Sequence, residues 1–164
     1  MIRTILYICV LLCLRETGAL RSAEDPPAQP IPFSHRQHAA AGAACLDCHT
    51  TAKKAARAGM PDTARCLLCH RSVQRDRPAI VKLRKMHEDK EPIEWIRLYQ
   101  VPDFVFFSHE KHLAAGAACS ECHGPVEQRE VLTKEVPTTM AACMNCHKKY
   151  KASVDCNLCH QLGQ

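Results

Sequence analysis

Five copies of Cys-x-x-Cys-His fall between positions 45 and 160: Cys45/Cys48/His49, Cys66/Cys69/His70, Cys119/Cys122/His123, Cys143/Cys146/His147 and Cys156/Cys159/His160, here called sites 1 to 5. Two thiols separated by two residues reach the two vinyl groups on one porphyrin edge. The next imidazole then lies beneath the iron as its proximal ligand, so each copy reads as a covalent c-type haem attachment site. Zinc ribbons also use Cys-x-x-Cys pairs, but zinc does not require a histidine after every second cysteine, and here all five pairs carry one. A thioredoxin-like redox site needs a βαβ setting and a single motif. The chain is therefore expected to carry five covalently attached haem c groups.

Five porphyrins on so short a chain decide what it can fold into. Aromatic residues make up only 5% of the sequence, and no long aliphatic run follows position 14, so the polypeptide alone has little with which to build a core. The macrocycles supply the missing apolar area. The expected fold is mostly irregular and small α, with short helices around the haem attachment sites, little sheet, and the haem stack as core. Without haem the chain is expected to be largely unfolded.

The Ala-rich segments 39–48 and 113–122 are interrupted by Gly42 and Gly116, which predicts a short helix around each attachment site rather than one long one. Residues 51–58 and 63–72 read as helical, with Pro61 and Asp62 as the start signal of the second. A further helix is predicted over 80–89. The stretch 93–107 carries Trp95, Tyr99, Val101, Phe104, Val105, Phe106 and Phe107 broken by Pro102, and predicts an extended passage.

Ten of the twelve cysteines belong to the five motifs, leaving no disulfide framework beyond the leader. The other two, Cys9 and Cys13, lie in a segment that runs Arg3, an apolar stretch over 5–14, and small residues near Thr17, Ala19 and Ala23. Residues 1–23 thus read as a signal peptide cleaved near 19–23. Ten apolar residues are short for a hydrocarbon core of about 30 Å, and bulky Ile8 and Leu12 before the two cysteines argue against a lipoprotein signal. Export agrees with haem attachment, which is carried out outside the bacterial cytoplasm, so the expected location is the periplasm, at or near the outer face of the cytoplasmic membrane.

The formal charge of +5 would ordinarily raise nucleic-acid binding. Five haems change the balance by about −5 when ferric and about −10 when ferrous, counting two propionates each. Many of the Lys and Arg residues are then propionate partners and solvated surface, and no nucleic-acid partner is expected.

Residues 31–49 and 105–123 are identical at twelve of nineteen positions at an offset of 74, an internal duplication. It divides the chain into a two-haem module over 31–72, a charged and aromatic linker over 73–103, and a three-haem module over 104–164. The duplicated element contains Phe-Ser-His-x-x-His. Of ten histidines, five are proximal, which leaves His35, His38, His87, His109 and His112 for five distal positions. Histidines at i and i+3 project in similar directions, and each iron has one free axial face. His35 and His38 must therefore serve two different haems, and so must His109 and His112.

The Phe-Ser-His-x-x-His element, followed by a Gly-Ala-rich turn and Cys-x-x-Cys-His, resembles the class III multihaem cytochromes c, the small three- and four-haem electron carriers of the cytochrome c3 and c7 type. The resemblance implies that His35 serves site 1, His38 site 2, His109 site 3 and His112 site 4. Three-haem members place another distal histidine between their first and second attachment sites, but residues 124–142 contain none. His87 is left for site 5 by elimination, with Met86, Met140 and Met144 as substitutes that would raise the potential. A second likeness runs from Trp95 through Arg97, Tyr99 and Val101-Pro102-Asp103-Phe104-Val105 to Cys122-His123-Gly124-Pro125-Val126. It resembles the pentahaem cytochrome subunit of alternative complex III, a membrane-bound quinol oxidoreductase, and related respiratory cytochromes.

With every iron saturated by two imidazoles, the chain suits outer-sphere electron transfer rather than catalysis. It is expected to be no enzyme but a carrier or subunit exchanging electrons with redox partner proteins, integral-membrane quinol oxidoreductase subunits among them. The alternative is a multihaem reductase with one open haem acting on nitrite, hydroxylamine or peroxide. The aromatic stretch reads either as packing around a haem or as a docking strip for a partner.

Overall fold

The computed structural model describes residues 26–160; the expected leader lies outside them. The duplicated element folds the same way twice. Helix α1 (His35–Ala40) is capped by Ser34, whose hydroxyl accepts the Gln37 N–H, and α5 (His109–Ala114) is capped by Ser108, which accepts the Lys111 N–H. Gly42 and Gly116 then take φ of +89° and +88°, a left-handed turn that a side chain would strain. The turn leads into α2 (Cys45–Cys48) and α6 (Cys119–His123). Asp47 and Glu121, each between the two cysteines of its motif, accept the N–H of Ala44 and Ala118 at 2.8 and 3.0 Å.

Helix α3 (Thr63–His70) starts at Asp62, whose carboxylate accepts the Arg65 N–H at 2.8 Å, and α4 (Pro78–Glu88) starts with proline at its first position. These two helices pack together. Leu67 of α3 meets Ile80, Leu83 and Met86 of α4, with Ile31 and Ile93 closing the cluster and Cys66 and Trp95 against its edge. The charged linker therefore contributes four of the six residues of a small core to the first module. A 3₁₀ turn (Val126–Gln128), α7 (Met140–Lys149) and α8 (Cys156–Cys159) complete the described helices. The only β pairing among the described residues is an antiparallel bridge between Val105 and His160.

These short helices and near absence of strand match the expected fold class. The stretch 93–107 is extended, as expected, while 51–58 forms turns and bends instead of the predicted helix. Its polar groups are spent elsewhere: Ala55 and Ala56 give their carbonyls to the N–H groups of Glu110 and His109, and Thr51 Oγ1 donates to the Arg57 carbonyl. These bonds tie the segment to α5 as a series of turns.

Every buried hydrophobic residue among the described ones lies between Ile31 and Ile93. The second module instead exposes Phe104, Phe106, Val131, Met140 and Leu158. Leu83, 1% exposed, is the centre of the cluster. Leu83→Ala is expected to cost about 2–5 kcal/mol, the range for a large-to-small change in a packed core. Guanidinium unfolding of the holoprotein followed by far-UV circular dichroism checks this; a loss under about 1 kcal/mol would mean that α3 and α4 do not form a packed core. No helix among the described residues is long and apolar enough to cross a membrane.

Candidate haem-binding sites

The local fold prepares the histidines of the duplicated element as metal ligands. In α1, His38 Nδ1 donates to the Ser34 carbonyl at 2.7 Å, and in α5 His112 Nδ1 donates to the Ser108 carbonyl at 2.7 Å. A carbonyl only accepts, so Nδ1 carries the proton and Nε2 is left with its lone pair. The phenylalanine that opens each element stacks on the same imidazole: Phe33 on His38 at 4.3 Å and 24°, Phe107 on His112 at 4.7 Å and 26°. It also stands edge-on to the other histidine, at 4.8 Å in both copies. One serine and one phenylalanine thus fix two imidazoles. The repeat displayed both residues, but their work is visible only in three dimensions.

The same device recurs across the chain. His49 Nδ1 donates to the Gly59 carbonyl at 2.7 Å, His70 to Val73 at 3.0 Å, His109 to Ala56 at 2.8 Å, His147 to Ser153 at 2.6 Å and His160 to Phe104 at 3.4 Å. Seven of the ten histidines therefore present Nε2 with Nδ1 anchored on a main-chain carbonyl, which fixes the tautomer and ring orientation that a metal ligand needs. His123 is held differently. Tyr99 stands edge-on to its ring at 4.6 Å and donates its hydroxyl to the His123 carbonyl at 3.3 Å, while that hydroxyl accepts the N–H groups of Glu135 and Val136.

Two imidazoles bound to one iron through Nε2, at the metal–nitrogen distance of about 2 Å common in protein sites, have ring centroids about 6 Å apart. His38 and His70 are 6.0 Å apart, His109 and His123 6.3 Å with rings only 4° from parallel, and His112 and His147 6.1 Å. The residues present fit a haem iron between each pair. His35 lies near His49: burial first, then His49 and His38, push its pKa down to about 4, and burial with His109 and His49 nearby lowers His123 as well. Both shifts favour the neutral, ligating form.

The ten motif cysteines are all free thiols, with no disulfide among the described residues. Each pair sits on one short helix or its start, so that residues three apart share a face: Cys45 and Cys48 on α2, Cys66 and Cys69 on α3, Cys119 and Cys122 on α6, Cys143 and Cys146 on α7, Cys156 and Cys159 on α8. Partial burial pushes the thiols of Cys45, Cys48, Cys122 and Cys143 up, and that of Cys66 to about 11. In four of the five sites the two cysteines of the pair are not equally covered. Cys66 is half-buried against the α3–α4 cluster, whereas Cys69 is exposed, as are both Cys143 and Cys146 of site 4. The Cys69 carbonyl accepts the N–H groups of Ser72 and Val73, and that of Cys146 accepts the Tyr150 N–H at 3.0 Å. On α4, Arg84 Nε is buried with no hydrogen-bond partner among the described residues. An anionic acceptor such as a propionate would satisfy it.

Site 5 stands apart. His160 pairs with Val105 and its ring lies 5.7 Å from that of Phe104, whereas His87, on α4, has Nδ1 3.0 Å from Thr63 Oγ1 in the first module. No ring contact joins the two among the described residues. Met86, one of the substitutes, is buried in the α3–α4 cluster. The aromatic stretch splits: Trp95 packs inward, donating Nε1–H to the Pro61 carbonyl at 2.8 Å, while Phe104 and Phe106 stay exposed.

Two family profiles match the chain. That of cytochrome c7 and related cytochrome c covers residues 105–161, and that of the class III cytochrome C family covers residues 16–97, half of the chain. Over 97 residues the chain is 36% identical to the menaquinone reductase, multiheme cytochrome c subunit, of Nitratidesulfovibrio vulgaris (strain Hildenborough). The match takes in 58% of this chain and 45% of that protein, so the chain spans less than half of its relative's length. Duplicated histidine clamps, attachment motifs and both profiles agree: the chain belongs to the class III cytochrome c family and is a multihaem c-type cytochrome of electron transport.

Proposed function

We propose that the chain is an exported, periplasmic cytochrome carrying five haem c groups, four of them on paired histidines, and that it passes electrons between respiratory partners. The observation that carries this reading is the set of three imidazole pairs 6.0–6.3 Å apart, spaced for one iron each. His35 with His49, His38 with His70, His109 with His123 and His112 with His147 are the ligands of sites 1 to 4. Irons closed on both faces exchange electrons without binding substrate. The leader and the thioether chemistry support the periplasmic side of the membrane. The likeness to a menaquinone reductase subunit supports membrane quinone-linked subunits as partners.

A second reading attaches to site 5. His87, left for that iron by elimination, is engaged with Thr63 in the first module, and an open iron there would suit reduction of nitrite, hydroxylamine or peroxide. Electron paramagnetic resonance of the ferric holoprotein separates the two. Low-spin signals for all five haems are expected; a high-spin signal equal to one haem, with turnover of any of the three substrates, favours the reductase. Co-purification with integral quinone-linked subunits from solubilised membranes is the expected partner result, and recovery of the cytochrome alone would leave it a free carrier.

A further inference from the structure

We propose that the five sites form a single line in the order 2, 1, 3, 4, 5, so that electrons cross between the two modules only between sites 1 and 3. This rests on the ligand map given under the proposed function. Sequence order alone would place site 2 next to site 3, where the first module's motifs end and the second's begin; the fold places site 1 there instead.

The crossing is built from reciprocal contacts. The clamp of each module docks on the segment that follows the first attachment site of the other. In one direction, His109 gives its backbone N–H to the Ala56 carbonyl at 3.0 Å and its Nδ1–H to the same oxygen, while Glu110 N–H donates to Ala55 at 3.2 Å. These carbonyls lie just past His49 of site 1. In the other direction, Arg36 N–H donates to the Arg129 carbonyl at 3.0 Å, and Ser34, Arg36 and Gln37 all donate to the Glu130 carboxylate, just past His123 of site 3. The distal ligand of site 3 is thus held by the first module, and the residue beside the distal ligand of site 1 by the second. The thiols of Cys45 and Cys119 also lie against each other.

The remaining neighbours follow from shared elements. Helix α1 supplies His35 to site 1 and His38 to site 2, and a cleft lined by Cys48, Met60, Asp62 and Arg65 lies between site 1 and the start of α3. Helix α5 likewise supplies His109 to site 3 and His112 to site 4. Phe106 N–H donates to the Cys159 carbonyl at 2.8 Å while the adjacent Phe107 stacks on His112, so site 5 borders site 4. Sites 2 and 5 are the two ends. Each transfer moves one electron: the site that gives it is oxidised, its neighbour is reduced, and no bond forms or breaks.

Paired distal variants of the holoprotein test the order. Methionine at a distal position raises that haem's potential and marks it by the methionine–iron charge-transfer band. A unit charge about 12 Å away, at an effective dielectric of about 20, changes a neighbour's electron affinity by roughly tenfold. Beyond two such steps, several Debye lengths, screening leaves the effect below about twofold. In H35M/H109M the two marked haems are therefore expected to titrate with a mutual shift near tenfold, and in H38M/H112M independently. A shift in H38M/H112M as large as in H35M/H109M overturns the order while leaving the ligand map standing. Single variants that lack the methionine band overturn the map and the order together. Should a double variant fail to mature, the crystal structure of the unaltered holoprotein decides. Its shortest iron–iron distance between modules is expected between sites 1 and 3 and its longest overall between 2 and 5; any other pair in either place overturns the proposal.

Discussion

Replacing His112 by alanine is expected to add one high-spin ferric haem to the spectrum of the holoprotein while the others keep the spin states of the unaltered protein. His112 stands 6.1 Å from His147, anchored by the Ser108 carbonyl and stacked on Phe107. Its removal leaves site 4 with His147 alone. On the proposed ligand map no spare imidazole is at hand: the other nine histidines are proximal, belong to another pair, or, as with His87, stand beside Thr63 in the first module. Water or an empty position is a weaker field than imidazole, so the iron goes high-spin.

The size of the effect distinguishes ligation from mere packing. A half-buried histidine that only packed would cost about 1 kcal/mol on truncation and leave the spectrum unchanged. Loss of a ligand changes the spin state of a whole haem and opens it to carbon monoxide when reduced. His112→Met is expected to restore the low-spin state with a raised potential. An unchanged electron paramagnetic resonance spectrum for His112→Ala would sink the assignment of site 4, and with it the equivalent assignment of His38 to site 2, because the two clamps share the same serine anchor and phenylalanine stack.

What the sequence made legible was local. The five motifs and the duplicated Phe-Ser-His-x-x-His are contiguous strings, and the left-handed turns at Gly42 and Gly116 follow from an Ala-Gly-Ala pattern. The histidine partners needed more: the pairing of His38 with His70 spans 32 positions and was implied only by family likeness. Two things were hidden because they depend on contacts between distant segments. Residues 51–58 have a helical composition, yet Ala55 and Ala56 give their carbonyls to α5, more than fifty residues away. The charged linker gave no sign of a core, since Ile80, Leu83 and Met86 are spaced at helical intervals but read as a sparse face until α3 is laid against it. The motif also treats its two cysteines alike, while the fold half-buries Cys66 and leaves Cys69 exposed. Site 5 has no repeat to read from, and elimination selected a histidine that the fold ties to Thr63.

The uneven burial leads to the second large effect. A chain with all ten motif cysteines replaced by alanine, and hence without attached haem, is expected to lose its ordered structure over 104–160 while residues 63–93 keep fractional helix. The reason is where the apolar contacts lie: the cluster of Leu67, Ile80, Leu83, Met86, Ile31 and Ile93 is made of protein alone, whereas the second module buries no hydrophobic side chain among the described residues. Its helices run from four to ten residues, too short to persist in water without tertiary support. Ordering each residue costs about 1–2 kcal/mol of conformational entropy, and in that module only porphyrin can offset it. Amide hydrogen exchange reads the difference directly. Protection confined to 63–93 is expected, and protection of α5 or α7 in the haem-free chain would show that the second module has a protein core of its own. The same asymmetry predicts the order of maturation: the first module offers its attachment sites on a partly formed frame, and α5 finds the Ala55 and Ala56 carbonyls only once that frame exists.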